Sequence, residues 1–148
     1  DLPPIKFYFR KHADALPVEE SEIYKGFCNT IHSIFYMKKC SGGVVHIEDL
    51  FSKKSHEVRD SAKNLGFMKG DIFESRLIPV KTSFEFSKGF CFHPIEMEKF
   101  ILGEIKKVRY QDKARQTKLI LQLASMRLKH ARYQHINIKH IYTFDPKF

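Results

Sequence analysis

The chain has 148 residues, 43% of them hydrophobic and 14% aromatic, which suits one compact core and excludes a disordered composition. Its longest apolar runs, such as residues 119–121, are far shorter than the roughly 18 residues that a membrane-spanning helix needs. The net charge is +9, with 26 Lys and Arg against 17 Asp and Glu, and such an excess is typical of proteins with polyanionic partners.

Three cysteines, Cys28, Cys40 and Cys91, form neither an even set nor a closely spaced pair. This pattern argues against a disulfide framework and against a zinc site. The chain also lacks a basic segment followed by an apolar one at its start, which is the pattern of a secretory signal. We therefore expect free thiols in a soluble protein of the cytoplasm or nucleus, with no membrane association and no cofactor.

The positive charge is concentrated in one part of the chain. Residues 1–98 contain 14 Lys and Arg and 14 Asp and Glu, whereas residues 99–139 contain 11 basic residues and two acids. The whole excess of +9 therefore lies in the second stretch. Because the charge is segregated rather than spread over the surface, it indicates a phosphate-binding face.

The N-terminal part is predicted to form an arm over residues 1–20, with a short strand at the apolar residues 5–9 and a loop after it. A first helix is predicted from its N-cap Ser21 to Lys39, because apolar residues recur there at spacings of three and four. The Ser-Gly-Gly of residues 41–43 is expected to end that helix.

The β-branched residues 44–47 predict a short strand. Acids at positions 48–49 then suit the N-terminus of a brief second helix. A third helix is predicted from its N-cap Ser55 to Leu65, because apolar residues within it share one face. Gly66 is expected to end this helix as its C-cap.

Residues 72–80 predict a further strand. The alternating phenylalanines of residues 84–92 predict a β-hairpin, with Ser87, Lys88 and Gly89 as its connection. Two helices at 94–110 and 113–134, the first opened by Pro94, and a terminal extended piece at 136–144 are expected to follow.

The resulting order is helix, strand, short helix, turn, helix, strand and hairpin. This order resembles the winged helix-turn-helix superfamily. The resemblance is closest in three segments, Gly43-Val-Val-His-Ile-Glu-Asp-Leu-Phe, Glu57-Val-Arg-Asp and Asn64-Leu-Gly-Phe-Met. The overall plan, a winged helix with a Phe-rich hairpin and trailing basic helices, is similar to that of plasmid-type replication initiators.

The resemblance implies an α+β fold in one packed domain. An N-terminal arm at 1–20 would precede a winged-helix core with an extended β-hairpin wing at 21–93. Residues 94–148 would add two basic helices and a terminal strand. The gap between Phe67 and Phe86 is long for a simple wing, which implies an extra strand or an insertion there.

The superfamily places its third helix in the major groove of duplex DNA, while the preceding turn and the wing tip contact phosphates. Ordinary solvated positions on an amphipathic helix are the alternative interpretation. The resemblance implies these nucleic-acid-binding residues: Lys53, Lys54, Ser55, His56, Arg59, Lys63 and Lys88.

The two C-terminal helices carry cations opposite their apolar stripes. Cations spaced along a rigid helix can bind a phosphate backbone by releasing its counterions. A helix lying on a membrane surface is the competing interpretation, but the core needs the apolar stripes. The candidate residues are Lys106, Lys107, Lys113, Arg115, Lys118, Arg127 and Lys129.

No motif for catalysis or metal binding is evident in the sequence. Its eight histidines form no His-Glu-x-x-His, and neither a Cys-x-x-Cys pair nor a glycine-rich phosphate loop occurs. We therefore expect the chain to be neither an enzyme nor a metal-binding protein.

The sequence thus predicts a nucleic-acid-binding domain, most readily for duplex DNA, in a replication initiator or a transcription regulator. One alternative is a protein-interaction subunit of a nucleic-acid machine, which the neutral residues 1–98 would suit. Another is a domain that binds RNA or single strands, since exposed Tyr or Phe side chains could stack on bases. The oligomeric state is left open.

Overall fold

The computed structural model of the protein describes residues 2–59 and 66–145. The helices are α1 (Pro4–His12), α2 (Val18–Cys28), α3 (Glu98–Val108), α4 (Lys113–Arg132) and α5 (Ile138–Ile141), with 3-10 turns at Ala13–Ala15 and Ile95–Met97. The strands are β1 (Ile31–Ser41), β2 (Val44–Asp49), β3 (Ser55–Arg59), β4 (Ile72–Val80), β5 (Ser83–Phe86) and β6 (Cys91–His93).

The strands close into a five-stranded barrel in the order β1-β2-β3-β5-β4, and β4 pairs back with β1. All neighbours are antiparallel except β3 and β5, which run parallel at the Val58–Phe84 pair. β6 continues along the β5 edge of β4, beside the first residues of β4. This order is that of the OB-fold, a five-stranded Greek-key barrel.

The winged helix-turn-helix prediction is therefore wrong. A winged helix needs a small helical core that presents one helix to DNA, with a hairpin projecting beside it. Here the described residues between Ile31 and His93 form strands that pair into a closed barrel around a common core. The α+β class is right, because helices pack outside that barrel.

The barrel interior is an apolar core supplied by the inward-facing residues of its strands. The side chains of Phe67, Phe86 and Phe90 pack against it, with the ring centroids of Phe67 and Phe73 only 5.2 Å apart. Its fully buried members are Phe35, Met37, Val45, Ile47, Val58, Phe73 and Leu77.

A second core lies between the outer face of β1 and β4 and the C-terminal helices. Ile34 and Ile72 supply the barrel side of this layer. The N-cap of α4 is Asp112, whose carboxylate accepts a hydrogen bond from the Arg115 amide at 2.8 Å. The helical residues buried in this core are Ile101, Ile105, Leu119, Ile120, Leu123, Met126 and Ile141.

Burial on both faces explains why β1 was predicted as part of a helix. Ser33, Ile34 and Phe35 are buried in succession, because one side of the strand faces the barrel and the other faces the helices. A strand covered on both sides loses its alternating pattern. The predicted helix 21–39 is accordingly wrong after Cys28, and its stop at 41–43 is the turn of the β1–β2 hairpin.

The N-terminal arm predicted as a strand is a helical hairpin, α1 and α2. Pro4 lies at the first turn of α1, where its missing amide hydrogen is not needed. α2 approaches the barrel through Gly26, and a Cβ atom at that position would lie 2.4 Å from the carbonyl oxygen of Pro79.

The predicted second helix is a turn at residues 50–52, and the third helix is wrong at its start, where Ser55–Arg59 forms β3. The remainder of the predicted third helix, residues 60–65 with Lys63, lies outside the described residues. The short run 55–59 alternates exposed and enclosed side chains, which is the period of a strand and not of a helix.

Strands occur in the region predicted as the wing, but they do not pair with each other as predicted. Strand 72–80 is confirmed as β4, but β5 and β6 do not pair with each other. Both lie along one edge of β4, which is long enough to pair with one after the other. The Phe alternation reports packing against the barrel interior rather than a hairpin.

The C-terminal helices are confirmed as α3 and α4, although the 3-10 turn Ile95–Met97 takes the place of the first predicted turn. The terminal strand predicted at 136–144 is wrong, because Ile138–Ile141 forms α5. Across residues 2–59 and 66–145, no helix is both long and apolar enough to cross a membrane.

Candidate nucleic-acid interface

The β2–β3 loop is built on the buried side chain of Asp49. Its Oδ1 atom accepts hydrogen bonds from the Ser33 hydroxyl at 2.6 Å and from the amides of Phe51 at 2.9 Å and Ser52 at 3.3 Å. The backbone amide of Lys53 donates to the Asp49 carbonyl at 2.8 Å, and Lys53 has a left-handed φ of 63°. The loop therefore presents Lys53 and Lys54 in a fixed arrangement at the end of the barrel.

The carboxylate of Glu48 binds one of these two lysines and a third lysine on β1. It accepts hydrogen bonds from Lys53 at 3.2 Å and from Lys38 at 2.9 Å. The hydrogen bond from Lys38 is the main reason why the pKa of Glu48 lies below its ordinary value, and burial opposes this shift. Because one carboxylate is shared by two ammonium groups, this part of the surface keeps a positive charge.

The remaining candidates from this region lie on β3. Ser55 and Arg59 are exposed, and Arg59 stands opposite Val44 of β2. His56 instead points toward the barrel core, with its ring centroid 5.1 Å from that of Phe84. Burial lowers its pKa, which favours the neutral form, so the structure does not place His56 among the exposed cations.

The turn between α3 and α4 is tied to the same end of the barrel by two basic side chains. Arg109 Nε donates to the carbonyl oxygen of Leu50, and Lys113 Nζ donates to that of His32, each at 3.3 Å. Leu50 belongs to the loop that carries Lys53, so the α3–α4 turn lies beside that loop. These contacts bring together cations that are more than fifty residues apart in sequence.

Tyr110 lies at the centre of this turn, and 92% of its surface is exposed. Arg109 precedes it, and Gln111 follows and receives a hydrogen bond from Arg115 at 3.0 Å. An exposed aromatic ring among cations is a combination that nucleic-acid-binding proteins use, with bases stacked on the ring and phosphates on the cations. We call Lys53, Lys54, Lys106, Arg109, Tyr110, Lys113 and Arg115 the basic turn surface.

The remaining predicted cations lie outside the basic turn surface. Lys107 is paired with Glu104 at 2.6 Å. Among the residues that the structure describes, no ion pair involves Lys118, or Lys106 of the basic turn surface. Arg127 Nε donates to the Phe92 carbonyl at 2.9 Å and holds α4 against β6. Lys129 lies at the far end of α4, beside a cavity of about 360 Å³, and Lys88 lies in the β5–β6 connection.

The sequence indicated Arg109 only as one of the cations opposite the apolar stripes of the C-terminal helices, and it did not point to Tyr110. Tyr110 lies just after the last helical residues of α3, where the apolar period ends and polar residues begin. An aromatic residue in a polar inter-helix turn has no core to join, and this was the available signal for its exposure. The role of Asp49 in shaping the loop had no signal in the sequence, because its partner Ser33 belongs to another strand.

A separate polar cluster lies where α4 and α5 cover the barrel. His93 Nδ1 lies 3.1 Å from the Tyr142 hydroxyl, and burial lowers the pKa of His93 to about 4. Burial also raises the pKa of the nearby Cys91 to about 11, so the thiol is not a nucleophile at neutral pH. No group of three His, Cys, Asp or Glu side chains within 2–59 and 66–145 could hold a metal ion.

Neither the curated proteins nor the solved structures gave a match. The sequence profile of the family described as "Family of unknown function (DUF7986)" matches residues 3–122, which span the barrel and the N-terminal half of α4. The chain therefore belongs to this family.

Proposed function

We propose that this protein binds single-stranded nucleic acid through the basic turn surface. The observation that carries the proposal is Tyr110, an almost fully exposed aromatic ring held among cations at the end of an OB-type barrel. Base–aromatic stacking contributes about 1–3 kcal/mol per base, and it works with every base because each has a flat face.

The cations around Tyr110 would bind the phosphates on either side of the stacked base. Lys53 and Lys54 lie in the barrel loop, Lys106 lies in the last turn of α3, and Arg115 lies in the first turn of α4. Each phosphate that is neutralised releases condensed counterions, so that affinity falls as salt rises. Binding of this kind requires neither a catalytic group nor a metal.

A single strand fits this surface better than a duplex does. The segment expected to enter the major groove begins as β3, whose backbone lies in the sheet and cannot enter a groove as a helix would. Exposed rings stack on bases only where the bases are unpaired or at a strand end. OB-type barrels often bind oligonucleotides, although the fold alone does not decide function.

Single-stranded DNA and RNA occur inside the cell, so this function implies an intracellular protein. Its three cysteines are free thiols, and free thiols suit a reducing compartment.

The test is a binding titration with fluorescent oligonucleotides of about 12 nucleotides, a length within the range that one such barrel covers. We expect Tyr110→Ala to weaken binding of single-stranded DNA or RNA by about 10-fold or more, as the loss of one stacked base would. Tyr133→Ala is the matched control, because Tyr133 is 49% exposed at the opposite end of α4.

Equal effects of the two tyrosine substitutions would contradict the stacking role of Tyr110. Tighter binding of a duplex of the same sequence would contradict the preference for single strands. Absence of binding to either form at about 50 mM salt, where phosphate contacts are strong, would overturn the proposed function.

A further inference from the structure

The N-terminal helical hairpin leaves large apolar side chains in contact with solvent. Val18 is 81% exposed, Phe7 62% and Ile23 58%, and Phe27 lies one turn beyond Ile23. None of the nine residues of α1, all of which are described, is buried. A concentration of exposed apolar side chains on one element is typical of a surface that another molecule covers.

A groove of about 380 Å³ runs between the two helices. Its walls are Ile5 of α1 and Ile23, Tyr24 and Phe27 of α2, and its rim carries Glu20. α2 contacts β4 where Gly26 meets Pro79, and no residue of the basic turn surface lines the groove. Nothing in the proposed nucleic-acid binding uses it.

The two helices carry opposite net charges. α1 contains Lys6, Arg10 and Lys11 and no acid, whereas the first half of α2 contains three glutamates. Lys25 pairs with Glu22 within α2 at 2.8 Å. Among the described residues, no salt bridge involves a cation of α1 or either of Glu19 and Glu20.

We propose that this hairpin is a homodimer interface, in which α1 of one protomer faces α2 of its partner. In a two-fold dimer each contact occurs twice, so a surface must complement itself. A basic helix beside an acidic helix does so, because the two-fold axis places the cations of each protomer against the glutamates of the other. Burial of Ile23 and Phe27 between the protomers supplies the apolar part of the interface.

A membrane surface suits this hairpin less well than a second copy. Biological membranes are negatively charged on their cytoplasmic side, and Glu19, Glu20 and Glu22 flank the apolar residues of α2. The net positive charge that would draw the hairpin to lipid is confined to α1.

The first measurement is the mass of the protein in solution by light scattering after size-exclusion chromatography. We expect a dimer for the wild type, a monomer for Ile23→Glu and a dimer for the control Leu128→Glu. Leu128 is as exposed as Ile23, but it lies on α4. A monomeric wild type, or a dimeric and folded Ile23→Glu variant, would overturn the proposal.

The second measurement separates the interface from contacts within one chain. One variant reverses the cations of α1 (Lys6→Glu, Arg10→Glu, Lys11→Glu), and another reverses the acids of α2 (Glu19→Lys, Glu20→Lys). Each variant alone places like charges opposite each other and is expected to be monomeric. Mixing the two variants makes both contacts attractive again, so a heterodimer should form, and its absence in the mixture would refute the α1–α2 pairing.

Discussion

At the scale of single residues, Asp49 holds the β2–β3 loop of the candidate interface in place. Its carboxylate is buried and accepts from one hydroxyl and two amides. Replacing it by Ala leaves these donors without an acceptor. Each buried donor without a partner destabilises the fold by about 1–3 kcal/mol. We expect Asp49→Ala to lower the free energy of unfolding by about 3 kcal/mol, measured by urea denaturation.

Asp112→Ala is the control for Asp49→Ala, because Asp112 is also a hydrogen-bonded aspartate but caps α4 at an exposed position. Loss of an N-cap costs about 1 kcal/mol. Losses of the same size in the two variants would contradict the role of Asp49 as the buried centre of the loop.

His93 makes the stability of the fold dependent on pH. Its pKa is lowered from 6.5 to about 4 by burial, so that only the unfolded chain takes up a proton between these values. The contribution of neutral His93 to the free energy of unfolding is therefore fully present above pH 6.5. It falls by up to about 3 kcal/mol as the pH decreases to about 4.

The measurement for His93 is the free energy of unfolding of the wild type and of His93→Gln between pH 7 and pH 4. Gln cannot take up the proton but can still bond to Tyr142. We expect the difference in stability between the two proteins to narrow as the pH falls. A difference that stays constant over this range would show that His93 titrates alike in the folded and unfolded chains.

At the scale of secondary structure elements, the contact of α2 with β4 depends on a missing side chain. A Cβ atom at Gly26 would lie 2.4 Å from the Pro79 carbonyl oxygen, and neither backbone can yield without separating the helix from the barrel. We expect Gly26→Ala to lower the free energy of unfolding by about 2 kcal/mol or more, or to detach the hairpin.

Gly103→Ala supplies the opposite expectation for the same substitution. Gly103 lies within α3, and a Cβ atom there meets no atom within 4 Å outside the backbone of its own helix and its chain neighbours. Ala is favoured over Gly in a helix by about 0.8–1.0 kcal/mol, so this variant should be more stable than the wild type. Parallel thermal denaturation of both variants would show opposite shifts, and shifts of the same sign would contradict this contact between α2 and β4.

At the scale of the whole molecule, we expect the position of the cations, rather than the net charge, to determine binding. Each phosphate contact to a single strand contributes about −0.7 to the slope of log affinity against log salt. Lys54→Glu with Lys106→Glu removes two cations from the basic turn surface, which should flatten the slope by about 1.4 and weaken binding to every sequence alike.

Lys129→Glu with Arg132→Glu is the matched control for this pair. It changes the net charge by the same amount at exposed positions near the other end of α4. We expect it to leave the salt slope almost unchanged, as measured by titrations of one labelled oligonucleotide over a range of salt. Equal flattening by the two pairs would mean that the molecule binds through its overall field, without a defined surface.

Part of the candidate interface could be predicted from the sequence. Lys113 was named from the segregated positive charge alone, whereas Lys53 and Lys54 were named through the winged-helix resemblance, as the turn before its third helix. The direction of the His56 side chain could not be predicted, because it depends on whether residues 55–59 form a helix or a strand. Tyr110 was missed, because its significance depends on the barrel loop that the hydrogen bond between Arg109 and Leu50 brings beside it.

The sequence by itself determined the α+β class, the strands β2 and β4, the helices α3 and α4 and the segregation of the positive charge. The elements depend on local periodicity and on glycines in turns, and both are visible in residues that lie close together along the chain. The tertiary structure alone decided that the strands close into a barrel and which loops lie together. Closure depends on pairings such as β3 with β5 and β1 with β4, between residues far apart in sequence, and a strand buried on both faces shows no period that would reveal it.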